Sequence, residues 1–274
     1  MDRGKWKAIW DSLKLYCLYL FIPALLLLIG MTLRRGQITV DEFMDQSGDF
    51  YTVLGFGAAI AILVRRAKKR GVAFCEEAML YPRELAPSLG AELAVLGFGL
   101  SMALSSALTV IPLPGELIGS YGEVSGKLFY GPDQILVFLS VLILAPVAEE
   151  IIFRGLMMFR LQREFNEKQS VLISAFLFAI LHKNILWILY AFAMAWLLGY
   201  TASRMENVCG SIAIHMGFNM ASIPLMWVNR TPALAEIVMG SKLQIALYGC
   251  IGGLLAAVMV RRLRKRGEEK WLKI

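Results

Sequence analysis

The most informative segment of this chain is QILVFLSVLILAPVAEEIIFRGLMMFRLQR, residues 134–163. Fifteen uncharged residues, 134–148, lead directly into two adjacent carboxylates, Glu149 and Glu150. Charged side chains at such a depth are costly in lipid, so they normally face the protein interior or a water-filled cavity and mark a functional site. Pro146 removes a backbone donor and is expected to kink the helix. The segment therefore predicts a membrane-embedded helix whose carboxylates point into the protein.

Composition places the whole chain among polytopic membrane proteins. Of the 274 residues, 58% are hydrophobic and only 18% are charged, and the mean hydropathy is +0.62. No polar segment is long enough to form a second core. We therefore expect one transmembrane domain over residues 1–274, with the residues that carry chemistry at about 134–228.

Eight apolar segments are candidates for membrane-spanning helices, because a helix needs about 20 apolar residues to cross a bilayer. They lie at residues 15–33, 50–64, 93–114, 134–163, 169–182, 184–203, 207–227 and 243–260. The second and the fifth are short, and the fifth is expected to end inside the protein. The sequence thus predicts an all-α integral membrane protein with about eight transmembrane helices.

The distribution of positive charge predicts the topology. The net charge is +7, and most of the 28 Lys and Arg residues lie before residue 15, at 65–83, at 154–168 and after residue 260. These segments share one side of the membrane if the N-terminus is cytoplasmic, which satisfies the positive-inside rule. We therefore expect both termini in the cytoplasm, and the charge requires no nucleic-acid partner. Because no organelle retention signal is recognisable, we expect a prokaryotic plasma membrane.

The two histidines of the chain, His182 and His215, both lie in apolar segments. A helix rises 1.5 Å per residue, which places His182 about 20 Å and His215 about 12 Å above the cytoplasmic face, with Asn219 at about 18 Å. Glu149 lies shortly before Arg154 on a helix that descends to the same face. We expect these four side chains to converge in the cytoplasmic half of the membrane.

Local spacing predicts how the polar residues pair. His215 and Asn219 are four residues apart, so both lie on one face of their helix. Glu150 and Arg154 are also four apart, in the order that favours an ion pair. Glu149 is rotated by about 100° from Glu150 around the helix, and we predict that it is the free carboxylate.

These residue types are sufficient for hydrolysis of a peptide bond. Glu149 and His182 together could remove a proton from water and later protonate the leaving amine. The imidazole of His215 and the amide of Asn219 could donate hydrogen bonds to the developing oxyanion. This chemistry needs no cofactor, no metal and no covalent nucleophile.

Three short motifs resemble those of a known family. The residues EEIIFR at 149–154 resemble the E-E-x-x-x-R motif of the CAAX prenyl protease and bacteriocin-processing family of intramembrane glutamic endopeptidases. The residues FAILH at 178–182 are similar to its F-x-x-x-H motif, and HMGFN at 215–219 to its H-x-x-x-N motif. Together, and in this order, the three motifs are a specific signal.

The resemblance implies a role for each site residue. It implies that Glu149 and His182 activate the water, that His215 and Asn219 form the oxyanion hole, and that Glu150 and Arg154 support the site. The implied substrate is a membrane-associated peptide or protein tail, with or without a lipid. The short separation of the second and third motifs is typical of bacterial members, which include peptide-processing and bacteriocin self-immunity proteins.

Three other functions use the same kinds of residue. A zinc metalloprotease could bind its metal through two His and a Glu, but the sequence contains no H-E-x-x-H helix and Asn219 is a poor zinc ligand. A proton-coupled transporter predicts ionisable residues at several depths, whereas these cluster on the cytoplasmic side. A non-catalytic peptide-binding or bacteriocin-immunity protein could use the same polar cavity, and the sequence leaves this alternative open.

Overall fold

The structure, a computed structural model, describes residues 2–112, 138–182, 184–224, 228 and 231–266. This part of the chain is helical and contains no β-strand beyond an isolated bridge between Arg35 and Ile38. The helices are α1 (Arg3–Leu33), α2 (Val40–Lys69), α3 (Phe74–Glu77), α4 (Pro87–Val110), α5 (residues 140–161), α6 (Glu167–Ala179), α7 (Ile185–Met205), α8 (Val208–Met220), α9 (Pro232–Met239) and α10 (Lys242–Lys265). The predicted all-helical class is confirmed.

Five of the described helices are long and apolar enough to cross a membrane. These segments are Arg3–Leu33, Gln46–Lys69, Pro87–Val110, Ile185–Met205 and Lys242–Lys265. By contrast, α6 and α8 contain 13 residues each, or about 20 Å of helix against a hydrocarbon core of about 30 Å. These two helices can reach only part of the way across. The predicted total of eight spans stays a prediction.

Some predicted boundaries differ from the observed helices. The apolar segment 50–64 is not a short helix but the centre of α2, which begins earlier because Thr39 and Glu42 form a capping box. The segment 207–227 is α8 only as far as Met220. Three predicted pieces, residues 113–114, 134–137 and 225–227, lie outside the described residues.

The central helix α5 changes its hydrogen-bond pattern along its length. Ser140–Leu144 and Glu150–Met158 are π-helical, with bonds between residues five apart, whereas Ala145–Glu149 and Phe159–Leu161 are α-helical. Pro146 lies in the α-helical segment between the two π-helical ones. The hydrogen-bond pattern thus changes on both sides of the segment that contains Pro146, and the kink at this residue stays a prediction.

Glycines let α4 approach two neighbouring helices at backbone distance. A Cβ atom added to Gly97 of α4 would lie 2.0 Å from the carbonyl oxygen of Ile214 in α8. One added to Gly217 of α8 would lie 1.9 Å from the carbonyl oxygen of Ala94 in α4, and one added to Gly99 would meet the backbone of α10 at 2.6 Å. Small residues serve this purpose where membrane helices pack closely. The position of α8 is thus set by direct backbone packing on α4.

The described parts nearest both chain ends meet the same end of the helix bundle. Lys7 in the first turns of α1 lines one cleft together with Arg70, which follows α2, and Arg160 at the end of α5. At the end of α10, Arg266 pairs with Glu92 in the first turns of α4 at 3.0 Å. Since α4 begins after the loop that follows α2, these contacts bring the start of α1 and the end of α10 to one face.

Two apolar clusters surround the polar residues of α5. The first joins α1, α5 and α6 and includes the buried rings of Phe153 and Phe178. The second joins α4, α7, α8 and α10 around Leu93, Leu198 and Ile214, which are fully buried. The polar side chains of α5 lie where these two clusters meet.

Candidate active site

A cavity of about 360 Å³ lies between α4, α5, α6, α7 and α8. Its lining includes the four side chains that the sequence predicted to carry the chemistry, Glu149, His182, His215 and Asn219. Much of the remaining lining is apolar or aromatic. The fold therefore brings residues from all three sequence motifs to one cavity.

Glu150 and Arg154 form an ion pair that is shielded from solvent. Nη1 of Arg154 donates to Oε1 of Glu150 at 2.7 Å, and both side chains have an exposed fraction of 0%. Nη2 of Arg154 donates to the carbonyl oxygen of Ala195 in α7 at 3.1 Å, and the guanidinium lies 4.7 Å from the centre of the Phe178 ring. The ion pair expected from the four-residue spacing is present, and it ties α5 to α6 and α7.

His215 stands between the two carboxylates. Its Nδ1 lies 2.9 Å from Oε1 of Glu150, and its Nε2 lies 3.8 Å from Oε2 of Glu149. The Glu150 carboxylate, which already accepts from Arg154, can only accept from the ring, so Nδ1 carries a hydrogen. Nε2 is then an acceptor in the neutral ring and a donor in the imidazolium. A positive charge on this ring would be attracted by a carboxylate on each side.

Asn219 is bound to a carbonyl group that Pro146 leaves without its backbone partner. In the first π-helical segment of α5, the amide of Ala145 donates to the carbonyl oxygen of Ser140. The next carbonyl oxygen in this pattern, that of Val141, would accept from the N–H of residue 146. Residue 146 is Pro146, which has no N–H, so this backbone bond cannot form. Nδ2 of Asn219 donates to that oxygen at 2.8 Å. Because a side-chain amide has two N–H groups, the second is available to a ligand in the cavity.

His182 follows the end of α6 and lines the same cavity. Its Nδ1 lies 3.2 Å from the carbonyl oxygen of Ala179. A carbonyl oxygen only accepts, so this contact places the hydrogen of the neutral ring on Nδ1 and leaves Nε2 as an acceptor. The ring packs against Phe178 and Trp187, with centroids 5.4 Å and 5.8 Å away. His182 is therefore held in the tautomer that suits a base at Nε2.

One contact of Glu149 was not predicted from the sequence. The hydroxyl of Tyr19 in α1 donates to Oε1 of Glu149 at 2.7 Å. Tyr19 lies in the first apolar segment, where a tyrosine gives no signal that separates a polar partner from an ordinary core or interfacial ring. The carboxylate predicted to be free thus has a neutral donor on one oxygen and His215 near the other.

Potential metal ligands in the part of the chain that the structure describes are not grouped as they are in protein metal sites. No group of three or more His, Cys, Asp or Glu side chains there is arranged to hold a metal ion. The cysteines Cys17, Cys75, Cys209 and Cys250 are free thiols. Protein zinc sites use three or four such ligands. A chelator experiment separates a zinc mechanism from a glutamic one.

Part of the chain matches a known protein family. Residues 131–221 match a family described as type II CAAX prenyl endopeptidase Rce1-like. The matched segment includes all three motifs and confirms the predicted resemblance to the CAAX prenyl protease and bacteriocin-processing family. It supports a membrane-embedded peptide hydrolase. Neither the curated proteins nor the solved structures give a match.

Proposed function

We propose that the chain is an intramembrane glutamic endopeptidase that cleaves a peptide bond in a membrane-associated peptide or protein tail. The observation that carries this proposal is that Glu149, His182, His215 and Asn219 all line the same cavity. The match of residues 131–221 to a family of prenyl endopeptidases supports the same class of reaction. No metal, cofactor or covalent intermediate is required in the mechanism that follows.

Glu149 and His182 would activate the attacking water. Oε1 of Glu149 accepts from Tyr19, which leaves Oε2 as the oxygen for the reaction. A water between this oxygen and Nε2 of His182 would give its proton to one of them while its own oxygen attacks the carbonyl carbon of the substrate. The carbonyl becomes an oxyanion. When the C–N bond breaks, the same proton passes to the nitrogen of the leaving amine.

His215 and Asn219 would stabilise the oxyanion. Asn219 would donate its second amide hydrogen, and the imidazolium form of His215 would donate from Nε2. Both side chains already have partners on their other side, Val141 for Asn219 and Glu150 for His215. Donors held in place before the substrate arrives need no reorganisation, and one such donor typically contributes about 10²- to 10³-fold to the rate.

Glu150 and Arg154 would support the site without touching the substrate. Their charges compensate each other, and Oε1 of Glu150 lies within hydrogen-bond distance of the His215 ring. This contact sets which ring nitrogen of His215 faces the cavity. The pair is therefore a positioning element in the proposed mechanism.

For the membrane arrangement, we propose eight full or partial passes with both termini in the cytoplasm, in one domain over residues 1–274. The contacts of Lys7 with the cleft at the end of α5, and of Arg266 with Glu92 in α4, support termini on one side. The basic residues at this face support a cytoplasmic assignment. The proposed location is a prokaryotic plasma membrane, with residues 134–228 carrying the chemistry.

The test is cleavage of quenched-fluorescent peptides by the detergent-purified protein, with prenylated and unprenylated peptides compared. The Glu149→Gln variant should reduce turnover by about 10²- to 10⁴-fold, the range typical of a general base. The matched control Glu164→Gln removes an exposed carboxylate just beyond α5 and should leave turnover unchanged. Each protein is assayed with and without a strong chelator.

Each outcome separates the proposed function from an alternative. Turnover that resists chelator and falls by about 10²-fold or more in Glu149→Gln supports the glutamic mechanism. Turnover abolished by chelator would favour a zinc metalloprotease. Failure of the unchanged protein to cleave either kind of peptide would contradict the enzyme proposal and favour a peptide-binding or immunity protein. Proton flux in vesicles that depends on Glu149 would favour the transporter.

A further inference from the structure

We infer that Tyr19 of α1 is a positioning residue that holds the reactive carboxylate of Glu149, an inference that rests on the proposed function. The two side chains are 130 residues apart in the chain, and the Tyr19 hydroxyl donates to Oε1 of Glu149 at 2.7 Å. A hydrogen bond to a charged group is among the stronger polar contacts in proteins. The contact joins the first helix of the chain to a residue that lines the cavity.

Aromatic packing determines where the Tyr19 hydroxyl points. The Tyr19 ring is stacked on Phe56 of α2, with centroids 5.3 Å apart and planes 18° from parallel. The ring also meets Phe153 of α5 edge to face at 5.3 Å, with an interplanar angle of 75°. Only 8% of the Tyr19 surface is exposed. Because the Tyr19 ring is buried against two other rings, moving its hydroxyl away from Glu149 requires repacking of α1, α2 and α5.

The same aromatic packing continues to both histidines. Phe153 contacts Phe178 edge to face at 5.3 Å, and Phe178 in turn meets the rings of His182 at 5.4 Å and His215 at 6.0 Å. Tyr19 therefore belongs to a connected set of rings that also includes the proposed base and the proposed oxyanion donor. Within this set, the Tyr19 hydroxyl donates a hydrogen bond to the Glu149 carboxylate.

The hydrogen bond gives the two carboxylate oxygens of Glu149 different surroundings. Oε1 is occupied by the Tyr19 hydroxyl, whereas Oε2 points toward His215, 3.8 Å from Nε2. Without the hydroxyl, the carboxylate could rotate about its terminal bond, because such torsions have broad energy wells. Small misplacements of a reacting group reduce rates strongly. Loss of the hydroxyl should therefore act on turnover more than on substrate binding.

Tyr19 lies outside the segment that matches the endopeptidase family. Residues 131–221 match the family, and α1 lies outside that range. The matched segment supplies the three motifs, but the donor to Glu149 comes from α1. The proposed active site is then complete only when the N-terminal helix is packed against α5.

The test compares Tyr19→Phe with Tyr16→Phe in the full-length protein in detergent. Both substitutions remove one hydroxyl from the same helix, and the Tyr16 ring also meets Phe153, at 6.4 Å. Tyr19→Phe should lower kcat by about 10- to 100-fold with KM within about twofold, because the lost bond is made to a charged group. Tyr16→Phe should leave kcat and KM unchanged. The melting temperatures of both variants should be close to that of the wild-type protein.

A double variant shows whether Tyr19 acts through Glu149. In a Glu149→Gln background, Tyr19→Phe should cause little further loss, since the carboxylate that it positions is gone. Equal kcat for Tyr19→Phe and the unchanged protein would overturn the inference. So would equal losses at Tyr16 and Tyr19, or fully additive losses in the double variant, because these indicate a general packing role. If the unchanged protein does not cleave the peptides, the proposed function fails first and the inference fails with it.

Discussion

Glu150 is shielded from solvent beside Arg154, whereas Glu149, the preceding residue, keeps 17% of its side chain exposed and lines the cavity. A rotation of about 100° around α5 separates the two carboxylates. Glu150 contacts a permanent cation and His215, while Glu149 accepts a hydrogen bond from the neutral hydroxyl of Tyr19.

This difference shows how one helix can provide both a support and a reactive group. A buried charge whose partner is also charged and buried cannot change its protonation state without leaving the partner uncompensated. A partly exposed carboxylate beside a neutral donor can exchange a proton with a ligand. We therefore expect stability to depend mainly on Glu150 and its partner, and turnover mainly on Glu149.

The largest effect on stability is expected from Arg154→Met. The substitution leaves Glu150 buried without its cation, and breaking such a pair typically costs about 3–5 kcal/mol. The free energy of unfolding in detergent, measured by chemical denaturation, gives the result. The control Arg160→Met breaks a partly exposed pair with Glu77, 3.0 Å long, and should cost under about 1 kcal/mol.

A second substitution tests the cause of this loss. Adding Glu150→Gln to Arg154→Met removes the uncompensated charge and should recover part of the lost stability. If the double variant is less stable than Arg154→Met alone, the loss does not come from an unpaired carboxylate. Equal losses at Arg154 and Arg160 would likewise contradict the contrast between the two carboxylates.

An intermediate loss of stability is expected from Gly217→Ala. Gly217 lies in α8, the helix that places His215 between the two carboxylates. The new Cβ atom would lie 1.9 Å from a backbone oxygen of α4, which forces the two helices apart. Overpacking of this kind typically costs about 1–3 kcal/mol. Turnover per folded molecule should also fall, since His215 and Asn219 move with α8. The matched control is Gly253→Ala, where a Cβ atom meets nothing within 4 Å.

The smallest effect on stability is expected from Glu149→Gln. The amide oxygen of the new Gln side chain can still accept a hydrogen bond from the Tyr19 hydroxyl. The free energy of unfolding should therefore change by less than about 1 kcal/mol. Thermal melting and turnover are measured on the same preparation. A stability loss as large as that of Arg154→Met would mean that Glu149 is also a supporting residue, and the contrast between the neighbours would disappear.

Local spacing was enough to predict several features of the site. The pairing of Glu150 with Arg154 depends on a four-residue separation within one helix, and the structure contains that ion pair. His215 and Asn219 are four apart on α8 for the same reason, and both line the cavity. The rise per residue of a helix predicted that His182 and Glu149 lie in the same region of the membrane. In the structure both side chains line the cavity.

Other features depend on contacts that have no local signal. Tyr19 meets Glu149 through the packing of α1 on α5, and nothing in an apolar run indicates which ring will face a carboxylate. Asn219 binds the oxygen of Val141 only because α5 is π-helical there, and hydrophobic patterning does not distinguish π-helical from α-helical residues in an apolar segment. The early start of α2 was missed because its first turns are polar, although a Thr39 and Glu42 capping box was readable.

The two π-helical segments of α5 also affect how the chain tolerates changes in length. A π turn contains one residue more than an α turn of the same backbone path. Deletion of one residue within Ser140–Leu144 can therefore be absorbed by a return to α-helical bonding, which keeps later residues in register. Ala145–Glu149 is already α-helical, so a deletion there cannot be absorbed in this way. It would rotate the rest of α5 by about 100°. In α5, deletions between relatives should therefore concentrate in Ser140–Leu144, where a return to α-helical bonding does not reorient the carboxylates.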